Sequence, residues 1–453
     1  MRGTGLDGYW KILLNLAPLL NADKLILIMV LTMGSEITCA LMKNTPQRLS
    51  QHLYRRIFST GLFLTGFICS TISSAQISEA LGGGSSHGSF NLRYESVNQD
   101  NSLDDAMALT LSSKLSYTTG NLNGFSAMIE VEDVRIVSGL GDYTVGPTGF
   151  NLGRYSVIAD PETTELDQGF LQYDKDNFSV KIGRQLITYD NHRFVGHVGW
   201  RQDRQTFDAF SVTFTPIEEL SLNYNFLDKR NRIFAEDADI DSKDHLLHAS
   251  YKSSVGTLTA YAYLLETDNN TRNSLDTYGL RLSGARELGG LNTSYLLEYA
   301  TQQSESGLAS FDADYLLLEG GVTVDGLSAK IGYEVLGSDN GAYGFSTPLS
   351  TLHAHNGWAD LFLGTPAQGL VDTYLNLGGK IGSGNWSVVY HNFSADDSTP
   401  VIDDLGNELD LQFLYPISEN YSLGLKYARY SDGDAAAVKP QTDKFWVWFT
   451  ARF

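Results

Sequence analysis

The chain has 453 residues, with 32 Lys and Arg against 53 Asp and Glu and a formal net charge of −21. Its mean hydropathy of −0.17 excludes a bundle of membrane helices, each of which needs about 20 apolar residues, and its acidity argues against nucleic acid as a partner. A barrel of alternating strands is not excluded, because its apolar and polar faces average out.

Residues 1–41 read as an extension from an upstream start, ahead of Met42. Leu25 to Met33 within it is apolar but too short to span alone; the rival reading is an anchored N-terminus. In "YRRIFSTGLFLTGFICSTISSAQ", Arg55 and Arg56 precede a short apolar run, and Ser73-Ser74-Ala75 forms a small-residue cleavage site before Gln76. That is the form of a secretory signal over 42–75, leaving 76–453 as the mature domain. Cys39 and Cys69 both precede the site, so the remainder has no disulfide and no thiol metal ligand. Seven of the 32 basic and three of the 53 acidic residues go with it, leaving 25 against 50, a net of −25. Mass spectrometry of the membrane-extracted protein is expected to find Gln76 at the N-terminus. Peptides from residues 1–41 in the mature protein would rule out the upstream-start reading.

From Phe90 onward the sequence alternates with a period of two, the signature of strands with two unlike faces. "SFNLRYESV" sets Phe90, Leu92 and Tyr94 against Asn91, Arg93 and Glu95. "ALTLSSKLSY", "FSVKIG", "LSLNYNF", "TYGLRLSG", "LSAKIGYEV", "WSVVYHNF" and "YSLGLKYARY" behave alike. Short connections rich in turn residues, such as "DKDN", "SSVG" and "VDG", alternate with longer polar ones at 98–105, 138–165, 189–203, 231–242, 268–275, 302–311, 338–372, 396–407 and 431–442. Tight turns at one end and long loops at the other predict an all-β, antiparallel, up-and-down transmembrane barrel of about 18 strands. The chain ends "KFWVWFTARF". Phe445, Val447, Phe449, Ala451 and Phe453 share one face, expected to meet lipid and to close the barrel against the first strand.

Two stretches carry more than strand pattern. "GRQLITYDNHRFVGHVGWRQDRQTFDAF" (183–210) is dense in Arg184, Arg193, Arg201 and Arg204; arginine suits carboxylates because its planar fork gives two parallel hydrogen bonds. "STPLSTLHAHNGWADLFLGTPAQGLVDTYL" (346–375) is apolar for an outer loop and is expected to fold inward. These motifs resemble the alginate-export family of outer-membrane channels, and the resemblance extends over about residues 88–453. It implies an 18-stranded monomeric barrel whose basic lumen passes an anionic polysaccharide. The final Phe likewise resembles the signal read by the outer-membrane insertion machinery.

Arg93, Lys114, Lys181, Arg281, Lys330, Lys380 and Lys426 fall on the face opposite the apolar residues of their strands. With Arg193, Arg201 and Arg204 they form the expected cationic lining, and a low-dielectric wall would focus their field. Glu95, Glu130, Glu132, Glu298 and Glu334 share that face, so a charge-balanced general porin is the alternative. Trp358 offers a ring to a sugar face or an anchor to its loop. Arg184 reaches the lumen only if Gly183 bulges. His353, His355 and Asp360 do not form a strong metal spacing, and no cofactor is expected. No nucleophile motif accompanies His192, His197, His245 and His248, so an enzyme or adhesin is the remoter alternative. The expectation is an outer-membrane channel without catalysis that meets lipid, lipopolysaccharide and an anionic saccharide or small anion.

Overall fold

The computed structural model describes residues 73–453; the extension over 1–41 and nearly all of the 42–75 signal lie outside them. Ser74–Gly82 forms a helix, α1, whose N-terminus is closed by a capping box between Ser73 and Gln76. It belongs to a small unit with residues 119–123, where the Gly120 N–H donates to the Ala80 carbonyl at 2.8 Å.

The second unit is a closed sheet. Its strands are β1 (Ser85–Gln99), β2 (Ala106–Thr118), β3 (Phe125–Asp142), β4 (Thr163–Lys175), β5 (Phe178–Gln185) and β6 (Thr206–Ile217). Then follow β7 (Leu220–Asn231), β8 (Ile240–Ser253), β9 (Gly256–Glu266), β10 (Asn273–Leu288), β11 (Leu291–Ser306) and β12 (Ala309–Val324). The last six are β13 (Leu327–Leu336), β14 (Leu370–Ile381), β15 (Gly384–Thr399), β16 (Ile402–Pro416), β17 (Tyr421–Ser431) and β18 (Thr442–Arg452). Each pairs antiparallel with its sequence neighbour in an 18-stranded sheet. The seam is β1 on β18, from Ser89 opposite Arg452 to Gln99 opposite Thr442. Closure leaves no unpaired backbone edge, as a lipid environment demands.

At one end, two-residue turns join six of the eight hairpins, with longer ones at 119–124 and 417–420. In the β12–β13 turn Asp325 and Gly326 both have positive φ, 49° and 83°, the twist that lets a tight hairpin follow its strands. The outward face is apolar and unburied: Leu115, Leu280 and Ile331 are about 60% exposed. A continuous band of such side chains is stable only against lipid. Phe445 and Phe449 lie on it, whereas Trp446 points inward and is fully buried.

Two expectations need correction. Residues 302–311 and 396–407 are not long loops. β11 and β12 stay paired to Ser306 opposite Ala309, and β15 and β16 are joined at Thr399 opposite Ile402 after a bulge. Gly183 has a φ of 121°, but β5 keeps regular register with both neighbours. Arg184 therefore stays on the outer face, where it pairs with Asp208 at 2.7 Å.

Candidate functional site

Inward-facing wall residues should be wet in an open pore. Here Glu298, Glu334, Glu408, Asp410 and Trp446 are almost wholly buried, because two outer-end connections, 186–205 and 337–369, fold into the lumen. Apolar residues of these loops, Val195, Phe345, Leu349, Ala359 and Phe362, join inner-wall residues in one packed cluster. Phe194 sits among Tyr261, Tyr315 and Phe345, with ring centroids 5.1, 5.2 and 6.0 Å away.

The two loops are also bonded to each other. Val195 and Leu349 form a parallel β-bridge. The Gly196 N–H donates to the Leu349 carbonyl at 2.8 Å, and the Thr351 N–H to the His192 carbonyl at 3.0 Å.

Most cations of the expected lining are paired with carboxylates of the chain itself. Arg93 pairs with Asp160 from the 143–162 connection, Lys114 with Glu132 at 2.5 Å, and Arg281 with Glu298 at 2.7 Å. Arg193 pairs with Glu334 at 2.9 Å and Arg204 with Glu130 and Asp167. Arg201 reaches Glu95 at 3.0 Å and Asp360 at 2.9 Å. The reason is burial: a desolvated charge is held only with a partner. Lys330, nearer the turns and half-exposed, pairs with Glu319 at 3.1 Å. Lys181 lies 4.3 Å above the Phe170 ring. Among the described residues neither Lys181 nor the exposed Lys380 has a carboxylate within ion-pair distance.

Lys426 takes a different environment. Its ammonium lies 3.8 Å from the Trp200 ring centroid and 4.1 Å from that of Trp358, so Trp358 already stacks on a cation of the chain itself. This corrects its role as a free sugar platform. Trp200 in turn stacks flat on His353 at 4.6 Å and meets Trp446 and Trp448 edge-on. Gly424 makes this arrangement possible, since a Cβ there would fall 2.1 Å from the Trp448 ring.

Asp360 gathers three donors: Arg201, Lys444 at 2.9 Å, and His353 Nδ1 at 2.7 Å. Burial works to raise its carboxyl, but Lys444, His353 and Arg201 hold it well below the usual carboxylate range. Burial pushes the His353 imidazole down to about 3, despite Asp360. The ring is therefore neutral: Nδ1–H donates to Asp360, and Nε2 accepts from Lys426 at 3.1 Å. With both ring nitrogens engaged, His353 is not poised as a metal ligand.

At the turn end the lumen widens into a cavity of about 590 Å³ lined by Lys114, Glu130, His197, Trp200, Arg204 and Arg452, among others. Sequence reasoning overlooked Asp160, Lys444 and the clustering around Trp200. Lys444 and Trp446 were visible as the second face of "KFWVWFTARF". Nothing in the sequence marked Asp160, whose partner Arg93 is 67 residues away.

The sequence model of the alginate-export family matches residues 88–303. No curated protein matches the chain. Similar solved structures include Acinetobacter baumannii OccAB4, with a TM-score of 0.64 at 14% identity over 82% of this chain and 98% of that one. Pseudomonas aeruginosa OccK9 (OpdG) gives 0.64 at 14% over 83% and 99%. P. aeruginosa OpdK, solved with vanillate, gives 0.62 at 12% over 81% and 98%. At these identities the likeness is one of fold.

Proposed function

We propose that this outer-membrane β-barrel channel, whose residues 88–303 match the alginate-export family, passes small anionic solutes, short acidic saccharides among them, by diffusion and without catalysis. The observation that carries the reading is the run of arginines and lysines through the narrowed lumen, of which Arg93, Lys114, Arg193, Arg201, Arg204, Arg281 and Lys330 are held against protein carboxylates. A solute carboxylate can replace the protein's own at a guanidinium fork and move from one pair to the next. The turn-end cavity, where Lys114, Arg204 and Arg452 face Glu130, supports the same direction of selectivity. OpdK was solved with vanillate, an aromatic carboxylate, which fits a solute of this size. The two inward loops favour monomers and short oligomers over a long polymer. Lipid, lipopolysaccharide and the insertion machinery are the partners such a barrel requires.

A general porin with a balanced lumen is the second reading, favoured by how completely the buried cations are paired. Reversal potentials across a planar bilayer under a salt gradient separate the two. The wild-type pore is expected to prefer anions. Changing Lys181, Lys330 and Lys380 together to Glu avoids the most buried pairs. It should shift the anion-to-cation permeability ratio by about tenfold, the effect of ~1.4 kcal/mol of altered field. A cation-selective wild-type pore would overturn the anionic reading and promote the general porin.

A further inference from the structure

A channel whose lumen is narrowed by its own loops conducts more when they withdraw, so the question is what holds them and what lets go. We propose that loops 186–205 and 337–369 form a single gate latched on Asp360, and that His353 makes the latch release in acid. This holds whichever solute passes.

The loops are joined as one body. Besides the bridge between Val195 and Leu349, the Gln205 side chain donates to the Leu349 carbonyl at 3.2 Å, the Val198 N–H to Thr351 Oγ1 at 3.1 Å, and Arg193 to Asn356 at 2.9 Å. Neither loop can leave the lumen without the other or without breaking these bonds.

The body is tied by polar bonds toward β13 and β14, where Arg193 meets Glu334 and Asn356 donates to Asp372, and by two further sets of contacts. Toward β9 and β12 the contacts are apolar, Phe194 among Tyr261, Tyr263 and Tyr315. Toward β16, β17, β18 and β1 they are polar. Asp360 takes Lys444 from β18, His353 takes Lys426 from β17, and Arg201 takes Glu95 from β1. The Trp358 and Ala359 N–H groups donate to Asp410 and Glu408 of β16 at 3.1 and 2.6 Å. Asp360 ties both loops to this wall, through His353 of its own loop, Arg201 of the other and Lys444 of β18.

Protonation attacks this arrangement at a defined atom. His353 Nε2 accepts from the Lys426 ammonium. A proton added there turns the acceptor into a donor and sets two cations 3.1 Å apart, beside Arg201 and Arg93 and in a site that excludes water. The negative groups facing this cluster are Asp360, Glu95, Asp160, Asp410 and Glu408; the first three are paired with Arg201, Lys444 and Arg93, and Asp410 and Glu408 each accept one loop N–H. The sign follows from linkage. The latched state holds His353 down to about 3, against an ordinary 6.5. Between those values the released state binds more protons, so latching is complete above about pH 6.5 and is lost as pH falls toward 3. Asp360 would release only at still lower pH, since its carboxyl is held well below its ordinary value.

The test is mean single-channel conductance of the full barrel in planar bilayers, stepped from about pH 7.5 to about pH 4.5, a range that brackets histidine titration. The wild type should rise by at least about threefold, the population shift expected when a latch weakens by ~0.7 kcal/mol or more. His353→Asn keeps a donor toward Asp360 and cannot be charged, so its conductance should stay flat. Asp360→Asn should be conductive already at the higher pH. Val195→Cys with Leu349→Cys should form a crosslink that leaves the acid response intact, because the loops move together. Heat-modifiable migration on a detergent gel checks that each variant is a folded barrel. A flat wild-type profile, or an unchanged acid rise in His353→Asn, would overturn the histidine trigger. The latter would pass the role to the buried His197 or His355. Loss of the acid rise on crosslinking would overturn the single gate.

Discussion

Replacing Phe449 and Phe453 with Asp is expected to abolish assembly of the barrel, read as loss of the heat-modifiable band and of membrane yield. Phe449 is about 40% exposed on the lipid face and Phe453 about 60%. Phe449 stacks against Tyr421 of the neighbouring strand at 5.9 Å, and Phe453 meets Phe90 across the seam at 5.5 Å. The backbone of Phe453 exchanges both of its hydrogen bonds with Gly88, at 2.8 and 3.0 Å, so the last residue fastens the first strand. Each carboxylate on a lipid-facing position costs up to roughly 2 kcal/mol, less near the interface. The two changes also remove two aromatic contacts at the step that closes the sheet. Phe449→Leu with Phe453→Tyr, which keeps both positions apolar, should assemble. A normal band from the double Asp variant would show that β18 does not need its lipid face to close the barrel.

The same strand shows why so much of the fold was legible. Lipid on one side and a polar lumen on the other force a two-residue period wherever the chain crosses the membrane, and that period survives in β1, β2, β17 and β18. It fails where both faces of a strand meet water. In β11 and β12, Gln303 faces Asp312 and Glu305 faces Ser310, all polar, so the stretch reads as a loop although its backbone pairing is unbroken. The residues at 396–407 misled for the same reason, with a bulge added between Phe393 and Ser394. For the lumen, parity fixed which charges point inward, and Arg93, Lys114, Glu95 and Glu132 were assigned to one face correctly. Pairing was less legible. Asp160, the partner of Arg93, and Arg193 and Arg201 themselves lie on loops that return into the barrel, and no local spacing encodes where a long loop returns. Inward folding of 337–369 was visible in its apolar composition; the seat of Trp358 over Lys426 was not, because it depends on a strand 68 residues further along.

The pairing of Arg193 with Glu334 sets the scale on which the plug is built. Arg193 is 1% exposed, pairs with Glu334, donates to Asn356, and lies 5.8 Å from the centre of the Tyr315 ring. Asn356 donates in turn to Glu334 at 2.7 Å and to Asp372 at 3.1 Å, so one asparagine couples the plug to two strands. Glu334→Ala should leave a buried guanidinium without its counter-ion, a loss of roughly 3–5 kcal/mol. Lys330→Ala, in a pair whose lysine side chain is 45% exposed, should cost no more than about 1 kcal/mol. The decisive comparison is Glu334→Leu with Arg193→Met. If the cost of each single change is an orphaned charge, the double variant should be more stable than either single one, by roughly 1–4 kcal/mol, since no ion is left unpaired. Urea unfolding of the barrel in lipid vesicles measures all four proteins against the wild type. Additive losses in the double variant would mean that Arg193 and Glu334 act separately, Arg193 through Asn356 and Glu334 through its 2.6 Å bond from the Tyr315 hydroxyl, and that the plug is held by many small contacts in place of one ionic lock.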